Sequence, residues 1–174
     1  GVLVARDNRS IYAAIRKDAK SPWTGVVSVD LETGKETLLF GFPGAGASTT
    51  SGTGFGWALS PDGTTFAINL LVEGSTTRSR LITVKVDGSD WRELHTWDSG
   101  HWVDVLRWTP DGQSLLFIAQ PVGAPTWRMM RIPAAGGPAE FDGLDSAAFT
   151  STVPLPKIEL RNIANFEVSP DGTH

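Results

Sequence analysis

Apolar positions along the chain come in short runs bounded by Gly, Pro and Asp. Phe66–Leu71 and Leu115–Ala119 are two such runs, and each follows another, Phe55–Leu59 and Val103–Trp108. A third run comes after them in each case, Arg80–Val86 and Trp127–Ile132, with a counterpart nearer the start at Gly25–Leu31. A short fourth run closes each group: Glu36–Phe40, Trp91–Thr96 and Ala139–Phe141. Runs of roughly four to eight residues, rich in Val, Ile, Thr, Phe and Trp, predict β-strands. No segment holds a 3.6-residue apolar period over a helical length, so no helix is predicted.

The connections between runs repeat as well. Ser60-Pro61-Asp62-Gly63, Thr109-Pro110-Asp111-Gly112 and Ser169-Pro170-Asp171-Gly172 are copies of one turn, and Ala5-Arg6-Asp7-Asn8 is a degenerate fourth copy. From Asp7 to Asp62, Asp111 and Asp171 the successive intervals are 55, 49 and 60 residues. In such a turn Pro presets φ, Asp bonds the backbone ahead of it, and Gly accepts a positive φ. A second set of turns follows each third run: Glu32-Thr33-Gly34-Lys35, Asp87-Gly88-Ser89-Asp90 and Ala135-Gly136-Gly137-Pro138. The pattern divides the chain into units at 1–42, 55–97 and 101–142, an insertion at 143–160, and the start of a fourth unit at 161–174. The last turn is followed by no apolar strand, whereas the earlier copies are. That predicts a chain cut from a longer protein.

An apolar strand, Ser/Thr-Pro-Asp-Gly, two more strands, then Asp-Gly or Gly-Gly before a short last strand: this text resembles the PD40 repeat, the WD40-like β-propeller repeat of TolB-type proteins. Val86–Leu94 and Trp127–Glu140 are close to that family's passage from third to fourth strand. The resemblance covers Gly1–Asp142 and Arg161–His174; Gly143–Leu160 matches nothing in the repeat. It implies an all-β fold, a propeller fragment of about three four-stranded blades plus the first strand of a fourth. Related blades occur in periplasmic TolB, in propellers attached to bacterial signalling proteins, and in the gating propeller of prolyl-oligopeptidase-type enzymes. The implied function is a non-catalytic scaffold that binds a protein or peptide. The alternative is the propeller part of a hydrolase or lyase. The family also favours a periplasmic or extracytoplasmic location.

Composition narrows the chemistry further. The net charge is −4, so the basic surplus of a general nucleic-acid binder is missing. No apolar stretch approaches the roughly 18 residues that would predict insertion into a membrane as a helix. Cys is absent, which removes disulfides, thiolate zinc sites and a Cys nucleophile. His95, His101 and His174 do not stand at a metal-ligand spacing, and Gly46-Ala47-Ser48-Thr49-Thr50 is not a nucleophile elbow. Asn8-Arg9-Ser10 fits a glycosylation sequon and is read as chance. No catalytic residue, cofactor or metal is expected.

In a propeller the first-to-second and third-to-fourth strand turns share one edge of the blades, and the other connections share the opposite edge. Here the first set is tight, and Pro61, Asp62, Gly63, Pro110, Asp111, Gly112, Pro170, Asp171 and Gly172 are expected to be structural turn residues. The second set is long: Lys17–Thr24, Gly41–Gly54, Val72–Arg78, Asp98–Gly100, Pro121–Thr126 and Gly143–Arg161. Loops on a rigid scaffold carry binding. The expected contact residues on the long-loop face are therefore Trp23, Arg78, Trp97, His101, Trp102 and Trp127, aromatic, Arg and His side chains at loop edges. Trp57 and Trp108 occupy matching first-strand places and read as core, and Trp91 as packing between units. Three units leave two open blade faces, so either further blades lie outside this sequence or chains self-associate to complete a ring; truncation is favoured.

Overall fold

A computed structural model describes residues 2–18, 21, 23–42, 56–71, 79–97, 102–120, 128–145 and 168–169. Every regular element among them is a strand. β1 (Val2–Val4), β2 (Ser10–Arg16), β3 (Trp23–Asp30) and β4 (Glu36–Gly41) form the first sheet. β5 (Trp57–Leu59), β6 (Thr65–Leu71), β7 (Ser79–Lys85) and β8 (Arg92–Trp97) form the second. β9 (Trp102–Trp108), β10 (Ser114–Gln120), β11 (Arg128–Pro133) and β12 (Glu140–Asp145) form the third. In each sheet the strands lie in chain order and each pairs antiparallel with the next. β12 reaches Asp145, a little past the expected end of the third unit. The strand expected to open a fourth unit lies outside the described residues except for Val168 and Ser169.

The sheets stack face to face through two apolar layers. Val26, Phe40 and Phe42 of the first sheet meet Trp57, Phe66, Ile68, Leu70, Ile82 and Val84 of the second. Ala58, Ala67, Leu81, Leu94 and Trp97 of the second meet Leu106, Leu115, Phe117, Ala119 and Ile132 of the third. Successive side chains of a strand point to opposite faces. Phe66, Ile68 and Leu70 therefore enter one layer and Ala67 the other. A strand buried on both faces reads as a near-continuous apolar run. That accounts for Phe-Ala-Ile-Asn-Leu-Leu at 66–71.

Phe66 is 0% exposed and anchors the first layer. Its ring meets Tyr12 edge-on at 4.9 Å, Phe40 at 5.9 Å and Trp57 in a stack at 5.5 Å. A buried Phe contributes about 1.5–3 kcal/mol by removal from water alone. Phe40 also meets Trp91 edge-on at 5.5 Å, so Trp91 does pack between the first two sheets. The far face of the first sheet is different. Val2, Ala13, Val27 and Leu38 form one cross-strand row there, with Val2 58% and Leu38 62% exposed.

One irregularity recurs. Between the third and fourth strands the register shifts at Val26/Val27, at Leu81/Ile82 and at Arg128/Met130. Each fourth strand thus carries a bulge, which turns its last residues relative to its first.

Candidate functional site

At the long-loop edge, Trp23 opens β3 opposite Arg16, the last residue of β2. The Arg16 guanidinium carbon lies 4.5 Å from the centre of the Trp23 ring, a cation–π contact. Arg16 is exposed and Trp23 half-buried, so the pair presents a flat aromatic and a cation together. The Thr24 hydroxyl donates to the Ile15 carbonyl at 3.2 Å, tying the two strand ends at this bulge.

Trp97 has a different place. It is 7% exposed, its ring meets Phe117 edge-on at 5.4 Å and His95 at 4.6 Å, and it belongs to the second apolar layer. Its indole packs the second sheet on the third and is closed to a partner, which corrects the expectation of a contact residue. Trp102 opens β9, with its backbone opposite Gln120. Arg78, His101 and Trp127 lie outside the described residues, as do Pro170, Asp171 and Gly172.

At the opposite edge the turns show how their residues work. Asp62 Oδ1 accepts bonds from the Ser60 hydroxyl at 2.6 Å, the Thr64 N–H at 3.0 Å and the Thr64 hydroxyl at 2.9 Å. Asp111 Oδ1 accepts from the Thr109 hydroxyl at 2.5 Å and the Gln113 N–H at 2.9 Å. These donors, the Ser60 hydroxyl first for Asp62 and the Thr109 hydroxyl first for Asp111, hold both carboxyls below the ordinary Asp value. Among the described residues no group of three or more His, Asp or Glu could hold a metal ion.

The same turns also touch one another. Gly63 has φ +74°, and a Cβ there would lie 2.8 Å from Arg6 Cβ. Left-handed backbone alone costs a side-chain-bearing residue about 1–2 kcal/mol. Into the space that Gly63 leaves comes Arg6, whose Nη1 donates to the Asp62 carbonyl at 2.9 Å. Pro61 leans on Gly112 in the corresponding way, at 3.9 Å from the position of an added Cβ. In the degenerate first turn, then, Arg replaces Pro and reaches across to the next blade.

Between the second and third blades this edge opens into a crevice of about 510 Å³. One wall carries Thr83, Lys85 and Arg92, the other Trp108, Pro110 and Gln113, and Arg6 also lines it. Trp108 donates its indole N–H to the Ala58 carbonyl at 3.3 Å, which fixes the ring between the two sheets. Arg92 holds Asp90 with two bonds, at 2.9 and 3.0 Å. Sequence reasoning assigned this edge to structure alone, because its turns are tight, and so passed over Arg6, Lys85 and Arg92. The signal available was the Arg that stands where the other turns carry Pro.

Comparison with known proteins finds no matching family model and no matching curated protein. The likeness is to solved structures. TolB from Acinetobacter baumannii superposes with a TM-score of 0.57 at 18% identity, over 81% of this chain and 32% of that one. Hydrazine synthase from Kuenenia stuttgartiensis gives 0.55 at 19% identity, over 81% and 41%. A chain of a nidogen–laminin complex gives 0.52 at 15% identity, over 82% and 47%. The chain thus spans about a third of that TolB and less than half of the other two. Likeness at these identities is a statement about fold, and the three stacked antiparallel sheets are four-stranded blades of a β-propeller.

Proposed function

We propose that the chain is part of a non-catalytic, TolB-like propeller scaffold that binds a protein or peptide through its long-loop edge. The observation that carries this reading is the Arg16–Trp23 pair. Trp and Arg dominate the energetics of protein interfaces, because each offers a large flat surface and directed polar contacts. Here they are held together at the ends of two paired strands, on a blade fixed by a continuous apolar layer to its neighbour. A partner that met this pair would find both side chains already positioned at strand ends.

The test is selection of peptides from a displayed random library on the wild-type chain, followed by affinity measurement on the Trp23→Ala variant. Selected peptides are expected to bind Trp23→Ala at least about tenfold more weakly, with an unchanged far-ultraviolet spectrum. A library that yields no binder above background, or binders indifferent to Trp23→Ala, would overturn the reading.

A further inference from the structure

The geometry points to a second binding site at the opposite edge: the crevice between the second and third blades receives an acidic peptide segment, whose carboxylates bond Lys85, Arg92 and Arg6. This site is independent of the long-loop edge and does not rest on the function proposed there.

By formal charge the crevice is balanced, since Arg6, Lys85 and Arg92 are matched by Asp62, Asp90 and Asp111. By hydrogen-bonding capacity it is not. The carboxylates are partly occupied: Asp62 Oδ1 takes three donors within its own turn and Asp111 Oδ1 takes two, which leaves the second oxygen of each, while Asp90 uses both oxygens on Arg92. Asp87, the other carboxylate that feels Lys85, has its Oδ1 taken by the N–H and hydroxyl of Ser89. A guanidinium carries five N–H donors and an ammonium three. Arg6 uses one on the Asp62 carbonyl and Arg92 two on Asp90, while the Lys85 ammonium makes no hydrogen bond among the described residues. The unused N–H donors of Arg6, Arg92 and Lys85 thus outnumber the carboxylate oxygens left open, and a ligand rich in acceptors complements them.

Size and shape favour a peptide over a lone anion. A volume of about 510 Å³ falls in the range of roughly 300–1,000 Å³ that suits ligands larger than an ion. Trp108 and Pro110 supply apolar wall against which the methylenes of a Glu side chain can lie.

Isothermal titration of the 174-residue chain with a short oligoglutamate, an oligolysine of equal length and a short oligothymidylate tests the inference. Oligoglutamate is expected to bind saturably and to weaken as salt rises, and oligolysine to show no saturable binding. Lys85→Gln and Arg92→Gln should each weaken oligoglutamate about tenfold. Lys35→Gln removes the same charge from an exposed turn of the first blade and should change nothing, and Trp23→Ala likewise. Lack of saturable oligoglutamate binding would overturn the assignment. So would equal weakening by Lys85→Gln and Lys35→Gln, which marks general charge attraction. Equal or tighter binding of oligothymidylate at Lys85 would overturn it in favour of a polyphosphate ligand.

Discussion

Asp30, Asp62, Asp87 and Asp111 each accept bonds from residues two or three places along the chain, and in each the carboxyl is held below its ordinary value. The leading cause is the Thr33 N–H for Asp30, and the Ser60, Ser89 and Thr109 hydroxyls for the other three. In the unfolded chain these groups titrate near about 3.9. A folded value below that means the fold favours the charged form. The stabilisation is fully present above the unfolded value and disappears as pH falls through the folded values. Urea denaturation over a pH series should therefore show the midpoint holding down to roughly pH 4 and dropping below it. Asp62→Asn keeps an acceptor oxygen and loses the charge, so its midpoint should drop less steeply over the same interval. An identical slope in wild type and variant would show that the turn carboxylate is not a source of the pH dependence. Asp62, Asp87 and Asp111 are exposed and Asp30 is partly so, and at all four burial acts to raise the value, so the lowering belongs to local hydrogen bonding.

Individual strands were legible in the sequence because alternation, apolar content and bounding turns agree for most of them. Phe66–Leu71 is the clearest case, since a strand covered on both sides reads as a near-continuous apolar run, here interrupted by Asn69 alone. Trp97 was not legible, and the reason is the bulge in β8. His95 stands opposite Leu81 while Glu93 stands opposite Ile82, so Leu94 is the extra residue. Simple alternation from Leu94 sends Trp97 to the opposite face, yet both lie in the layer against the third sheet. A bulge leaves no mark in a hydrophobic pattern read one strand at a time. Its consequence is measurable: Trp97→Ala should destabilise the chain by about 3–5 kcal/mol in chemical denaturation, as expected for a large aromatic removed from a packed layer. A loss under about 1 kcal/mol would place the indole outside the core. The crevice was illegible for a related reason, because it lies between elements far apart in sequence, with Arg6 and Ala134 at its two limits along the chain.

Among whole-molecule properties, the unequal covering of the three sheets matters most. The second sheet is packed on both faces, whereas the far face of the first exposes Val2, Val4 and Leu38. Opening of a blade exposes the layers it shares, so the second blade has the most to lose. Hydrogen exchange followed by mass spectrometry should find the amides of β6 and β7 slowest and those of β1 and β4 markedly faster. Uniform protection over the three sheets would mean that they open only as one unit. The turn contacts add a property that no single blade possesses. The second residue of a turn leans on the glycine of the turn that follows: Arg6 on Gly63, then Pro61 on Gly112. Like overlapped shingles, these contacts run one way only, from each blade to its successor. A neighbour approached in reverse, or turned over, would bring unlike turns together and find neither the vacant glycine nor the carbonyl that Arg6 engages. The row of turns therefore gives the array a polarity, and graftings of foreign blades should succeed in one orientation alone.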